Sequence, residues 1–197
     1  MVDQHGRTFA ERLAATRANV DARNFDLERA IETIIASLKS GGAVYACGNG
    51  GSDAHAGHLA AELIGRFAYD RPPLRAVHLS SGGPVGSCIA NDYGWEQVFA
   101  RQVEALCGPR DVLVCFSTSG ASKNIRAAID HVWNDDGKAI LFTSRAAKDY
   151  VDSIHGHGDG GPIAVYSSAT GTPAIQEEHQ EWVHLVAEAV EKAMFPK

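Results

Sequence analysis

The chain has 197 residues, with 18 Lys plus Arg against 24 Asp plus Glu, a formal net charge of −6. An apolar share of 45% with 21% charged residues excludes a disordered chain, and the acidic balance excludes binding to nucleic acid or an anionic membrane through bulk charge. The composition departs from the globular norm in its 20 glycines, about a tenth of the chain where about 7% is usual.

The length suits one domain with a sizeable core. The first fifteen residues lack an apolar signal core, and no window has the uncharged apolar length of a membrane span, so a soluble cytoplasmic protein is expected. Cys47, Cys88, Cys107 and Cys115 show no CxxC spacing; all but Cys107 lie in apolar runs, which predicts reduced core thiols.

Taken in order, residues 8–39 read as two helices broken near Asn24. Leu27, Ile31, Ile34, Ile35 and Leu38 recur at helical spacing, and Gly41-Gly42 ends the second helix. Ala43–Cys47 is a buried strand, Gly48–Ser52 (GNGGS) a glycine-rich turn, and Asp53–Arg66 a helix. Arg75–Leu79 is a strand, Val85–Ala90 a short helix or turn, and Trp95–Leu106 a helix. Asp111–Phe116 is an apolar strand, followed by the hydroxyl-rich turn Ser117–Ser122 (STSGAS) and a helix through Trp133. Lys138–Thr143 and Ile163–Tyr166 read as strands, the Gly-rich stretch 155–161 as a loop, and Gln176–Met194 as a long closing helix. Strands alternating with helices, several of them apolar on both faces, predict an α/β fold with a parallel sheet covered on both sides.

In such sheets ligands bind at the carboxyl ends of strands. The two strand-to-helix turns are therefore candidate anion cradles. Gly48-Asn49-Gly50-Gly51-Ser52 lets a ligand approach the backbone, but it lacks the spacing of a dinucleotide site or a P-loop, so no nucleotide is expected. Ser117, Thr118, Ser119 and Ser122 put four hydroxyls at a helix start, which suits either a phosphate monoester or simple capping. His58 and Glu62, four residues apart, share a helix face and suit one divalent metal, an acid–base couple or a plain surface contact. The closing-helix run Gln176-Glu177-Glu178-His179-Gln180-Glu181 with His184 reads mostly as a solvated face. Asn91-Asp92 suits a turn or a substrate contact, and His155 with His157 resembles a metal pair in a Gly-rich loop.

Taken together, CGNGGS, His58-xxx-Glu62, Gly65-Arg66-Phe67, Asn91-Asp92-Tyr93-Gly94, STSGAS and Ile175-Gln176-Glu177 with His184 resemble the phosphoheptose isomerases of the sugar isomerase (SIS) family. The resemblance runs from about Asn19 to the C-terminus. It implies a single SIS domain over residues 1–197, a flavodoxin-like three-layer α/β/α sandwich on a five-stranded parallel sheet, with helices in 1–40 packing on the domain and the oligomer interface. It implies a homotetramer with active sites at subunit interfaces, and conversion of sedoheptulose 7-phosphate to D-glycero-D-manno-heptose 7-phosphate as the first step of nucleotide-activated heptose synthesis. Glu62 then matches the catalytic base and His184 the acid. Asn49, Gly50, Gly51, Ser52, Glu62, Arg66, Asn91, Asp92 and Gln176 match sugar-contacting positions, and Ser117, Thr118, Ser119 and Ser122 match phosphate-binding ones. His58, Glu62, Gln176 and His184 match a site for one zinc ion. The chain departs from the family pattern at Ser80–Pro84, at Thr143-Ser144-Arg145 and in the long stretch 155–170, which bears on sugar preference. The alternatives are a non-catalytic SIS adaptor that binds a replication initiator, and an isomerase of another sugar phosphate.

Overall fold

A computed structural model describes residues 25–134, 137–155 and 161–197. The helix expected over 8–24, most of the Gly-rich stretch, and His157 lie outside the described residues. Helix α1 (Phe25–Lys39) leads into β1 (Val44–Gly48), α2 (Gly51–Ile64), β2 (Ala76–His78) and α3 (Gly83–Tyr93). A single 3₁₀ turn at Trp95–Gln97 and α4 (Ala100–Leu106) follow, then β3 (Val112–Phe116) and α5 (Lys123–Asn134). The chain closes with β4 (Lys138–Ser144), a second 3₁₀ turn (Arg145–Ala147), α6 (Lys148–His155), β5 (Ile163–Ser167) and α7 (Thr172–Met194).

The five strands form one sheet in the order β2-β1-β3-β4-β5, with every pairing parallel. Both faces are covered, as the apolar runs predict. Val44 and Ala46 of β1, with Val112 and Val114 of β3, face α1, α2 and α7. Tyr45 and Cys47, with Leu113 and Cys115, face α4, α5 and α6. Alternation of side chains along each strand sends successive residues to opposite cores, so a doubly covered strand must be apolar throughout.

The order reverses between β1 and β3, where the crossovers leave in opposite directions. The carboxyl ends of these two strands therefore open the crevice in which such sheets bind ligands.

Several elements differ from their sequence reading. The expected helix Trp95–Leu106 is a 3₁₀ turn and a separate helix, because Val98 and Phe99 between them are drawn fully into the core. The short helix or turn at Val85–Ala90 is a longer helix that takes in Asn91 and Asp92, with Pro84 suited to its first turn. Helix α6 had no sequence signal strong enough to predict it. Helix α7 starts at Thr172, earlier than Gln176. Cys88 is exposed and not a core thiol, while Cys47 and Cys115 are buried as expected; all four cysteines are free.

Candidate functional site

The two cradles meet at the switch point. Gly48–Ser52 leaves β1 and opens α2; Ser117–Ser122 leaves β3 and opens α5. A reciprocal amide pair locks the loops together: Asn49 Nδ2 donates to Asn124 Oδ1 and Asn124 Nδ2 to Asn49 Oδ1, each at 2.9 Å. Asn124 is buried, so the pair is shielded from water and has no cheap alternative partner. The side chain of Asn49, expected on the sugar, thus also braces the crevice. Two helix N-termini, each the positive end of a helix dipole, converge here.

Within the second cradle, Ser117 Oγ accepts from Gly120 N and Ser119 Oγ from Ala121 N, both at 3.1 Å. Arg126 Nε donates to Gly120 O at 2.7 Å and its guanidinium lies over the Tyr150 ring, 4.3 Å from the centroid. Gly120 has φ +61, and a Cβ there would collide with Ala147. Only glycine gives this loop its shape. Ser52 and Ser117 are buried, Thr118 and Ser122 half-buried and Ser119 exposed, so the hydroxyls line the loop from floor to rim.

Helices α2 and α7 pack side by side and carry the remaining chemistry. At their start, the Gln176 amide lies over Gly51, so closely that a Cβ on Gly51 would collide with it. One turn on, His55 faces His179 edge to face, with ring centroids 6.1 Å apart. His179 is fully buried among Phe116 and Trp182, and neither of its ring nitrogens has a hydrogen-bond partner. Burial, then the neighbouring His55, pushes its pKa down to about 3. Burial, then His58, lowers that of His55 as well.

Further along the seam, His58 Nε2 lies 2.9 Å from Glu62 Oε1. His184 stacks edge to face on His58 with centroids 5.2 Å apart, and Phe67 backs it at 5.9 Å. His58, Glu62 and His184 offer ligand atoms within 4.8 Å of one another. Two imidazoles and a carboxylate at this spacing are a donor set that fits zinc. The structure thus brings together three of the four residues expected at a metal. The amide of the fourth, Gln176, lies beside Gly51, and Gln180, one turn later, meets both imidazoles. Its Nε2 lies 3.0 Å from His58 Nδ1 and 3.2 Å from His184 Nε2.

Glu62 is held from below. Arg71 donates to the carbonyls of Glu62 and Leu63 at 2.6 and 2.7 Å, and its Nε meets the buried Glu191 carboxylate at 3.3 Å. Glu191 also accepts from Phe67 N and Ala68 N, at 2.9 and 2.8 Å. Burial alone would raise its pKa; the N–H groups of Ala68 and Phe67 and the Arg71 charge outweigh this and hold it below its ordinary value.

Asn91, Asp92 and Arg66 are exposed. Asn91 Nδ2 donates to Asp92 Oδ1 at 2.7 Å, and Asp92 also takes a Cys88 thiol contact. The closing-helix run is not the solvated face its composition suggests, since Glu178 and His179 are buried.

The SIS domain model matches residues 8–144. Over 193 residues the chain is 36% identical to a phosphoheptose isomerase of Thiobacillus denitrificans, covering 96% of each. It is 34% identical to one from Helicobacter pylori, over 94% of this chain and 93% of that protein. This chain belongs to the phosphoheptose isomerase branch of the SIS family. The solved phosphoheptose isomerase of Neisseria gonorrhoeae superposes with a TM-score of 0.78 at 32% identity, covering 93% of this chain and 95% of that one. That of Francisella tularensis gives 0.80 at 29%, over 93% and 94%. The five-stranded parallel sheet is the SIS fold that the sequence resemblance implies. The model match ends before α7, so His184 enters the family comparison through the full-length relatives.

Gln180, Asn124, Arg71, Glu191, His55 and His179 carry the site's framework, and the sequence reading gave none of them a role. For His179 a signal existed: Ile175, His179, Trp182, Val183 and Val186 fall on one helical stripe.

Proposed function

We propose that this protein interconverts sedoheptulose 7-phosphate and D-glycero-D-manno-heptose 7-phosphate in the cytoplasm, at the entry to nucleotide-activated heptose synthesis. Membership of the family makes the coarse reaction an aldose–ketose isomerisation of a heptose phosphate. The observation that carries the finer reading is the His58–Glu62–His184 cluster on a chain whose switch point holds a hydroxyl-rich cradle.

The substrate phosphate is assigned to the Ser117–Ser122 loop, where helix N–H groups and serine hydroxyls replace the cations that an acidic protein lacks. The sugar then extends along the α2–α7 seam. Glu62 takes a proton from C1 of the ketose while the C2 oxygen gains one, which gives the enediol. Return of a proton to C2 and loss of one from O1 give the aldose. His184, near enough to Glu62 to share a reacting pair of carbons, moves the proton between the oxygens. His58, hydrogen-bonded to Glu62, keeps that carboxylate oriented. Zinc, held by His58, Glu62 and His184, would supply a Lewis acid for the carbonyl oxygen.

His58 and Glu62 lie about two and three turns along α2 from Gly51, about 10 to 16 Å on an ideal helix axis. A long extended sugar phosphate suits that gap better than a short one, and so does a cradle completed by a second copy of the chain. Ile64, just past Glu62, and Val85, Tyr93 and Trp95 expose large apolar surface, which supports the homotetramer with shared sites. Among the described residues, no helix is long and apolar enough to cross a membrane.

The test is direct incubation with sedoheptulose 7-phosphate, followed by NMR. Appearance of the aldose signals is expected from the wild type and not from His184→Ala. No product from the wild type under metal-replete conditions would overturn the reading.

A further inference from the structure

We infer that His78 is a positioning residue for the first cradle: it holds the Asp53 carboxylate toward β2 and so keeps the start of α2 open to the sugar phosphate. This inference rests on reading Gly48–Ser52 as part of the crevice that binds the substrate.

The cradle is folded tightly onto Asp53. A Cβ on Gly48 would collide with the Ser52 carbonyl and with Asp53 N, and Asp53 N donates to Gly50 O at 3.1 Å. Asp53 is the third residue of α2. A carboxylate there is placed to reach back and cap the helix start, where its charge also meets the positive end of the dipole. Yet α2 begins after Gly50 with no side-chain cap. The Asp53 carboxylate is engaged elsewhere, with Oδ1 2.8 Å from His78 Nε2. An ionised carboxylate only accepts, so the ring donates.

The ring is fixed from both sides. His78 ends β2 in register with Ala46 of β1, and the next N–H, of Leu79, donates to Ala46 O at 2.8 Å. On the other side the ring lies against Gly57, one helical turn after Asp53 on the same face of α2. A Cβ on Gly57 would come within 3.2 Å of His78 Nδ1 and 3.3 Å of Cε1. Glycine is a poor residue inside a helix, and this close approach accounts for it. Gly51, His55 and His58 of the same helix meet Gln176, His179 and His184 of α7 instead. The pair therefore draws the carboxylate to a face of α2 turned from that seam. With side chains 30% and 25% exposed, it adds little to stability, so its removal leaves the fold intact.

The experiment compares full-length wild type, His78→Ala, Asp53→Ala and the double variant on sedoheptulose 7-phosphate, with circular dichroism to confirm folding. In His78→Ala the freed carboxylate caps α2 and competes with the substrate. KM is expected to rise about 3- to 30-fold, the strength of a helix cap read as a binding ratio, with kcat within about threefold of wild type. Asp53→Ala and the double variant are expected to stay within about threefold of the wild-type KM, because neither has a carboxylate to release. Amide NMR without substrate adds a second readout: the Gly50 or Gly51 N–H signal is expected to move downfield in His78→Ala and to return in the double variant. A double variant as impaired as His78→Ala would make the pair a plain strut and overturn this inference alone, and so would an unchanged KM in His78→Ala. A wild type that turns over no sedoheptulose 7-phosphate would overturn both this inference and the reading beneath it.

Discussion

Glu191 is an acid in the closing helix whose carboxylate is almost wholly shielded, with side-chain exposure of 2%, the same as its partner Arg71. Replacing Glu191 by Ala leaves the Arg71 guanidinium buried without a counter-charge and strips the N–H groups of Phe67 and Ala68 of their acceptor. Breaking a buried ion pair from one side costs about 3–5 kcal/mol. An exposed pair costs about 0–1 kcal/mol. Urea unfolding at pH 7, followed by circular dichroism, separates the two ranges. Since Arg71 also ties down the carbonyls of Glu62 and Leu63, turnover is expected to fall with stability. Glu191→Ala within about 1 kcal/mol of wild type would refute the view that this pair anchors the end of α2. The pH dependence has a definite sign. Glu191 is held below its ordinary 4.5, so its stabilisation is fully present above that value and is lost as pH falls through the lowered one. The gap between wild type and Glu191→Gln should narrow on acidification below pH 4.5.

His179 works in the opposite direction. It stays neutral in the fold, with a pKa near 3, while the unfolded chain binds its proton below about pH 6.5, so stability is expected to fall by about 2 kcal/mol between pH 6.5 and 5. His179→Leu, checked by thermal melts over that range, should remove most of this slope and cost little at pH 7. Gly120→Ala forces a non-glycine residue to φ +61 against Ala147, so KM for the sugar phosphate should rise far more than kcat falls, and an unchanged KM would place the phosphate elsewhere. Glu62→Gln and His184→Ala should each lower turnover at least ~10²-fold with the fold intact; near-normal rates in both would remove their assigned roles.

The fold was legible because its signals are local. The apolar runs of β1 and β3, the Gly-Gly stop after α1 and the STSG turn each declare themselves within a few residues. The cradles were legible for the same reason, and so was the His58–Glu62 pair, one helical turn apart. What stayed hidden depends on partners far apart in the chain. Asn49 and Asn124 look like two loop amides until the parallel pairing of β1 with β3 sets them face to face. Arg71 and Glu191 look like surface charges until α7 packs on α2. Gln180 meets His58 and His184 only once the two helices pack, and nothing local in the chain declares that contact. The α3 segment was blurred by Gly83, Pro84 and Gly86, residues that read as a turn yet here open a helix.

The central claim is acid–base isomerisation centred on Glu62, and its most direct measurement is proton NMR of sedoheptulose 7-phosphate incubated in deuterated water with wild type and with Glu62→Gln. The wild type is expected to form the aldose 7-phosphate with solvent deuterium at C2, and Glu62→Gln to form neither product nor label. Product at the wild-type rate from Glu62→Gln would contradict the claim.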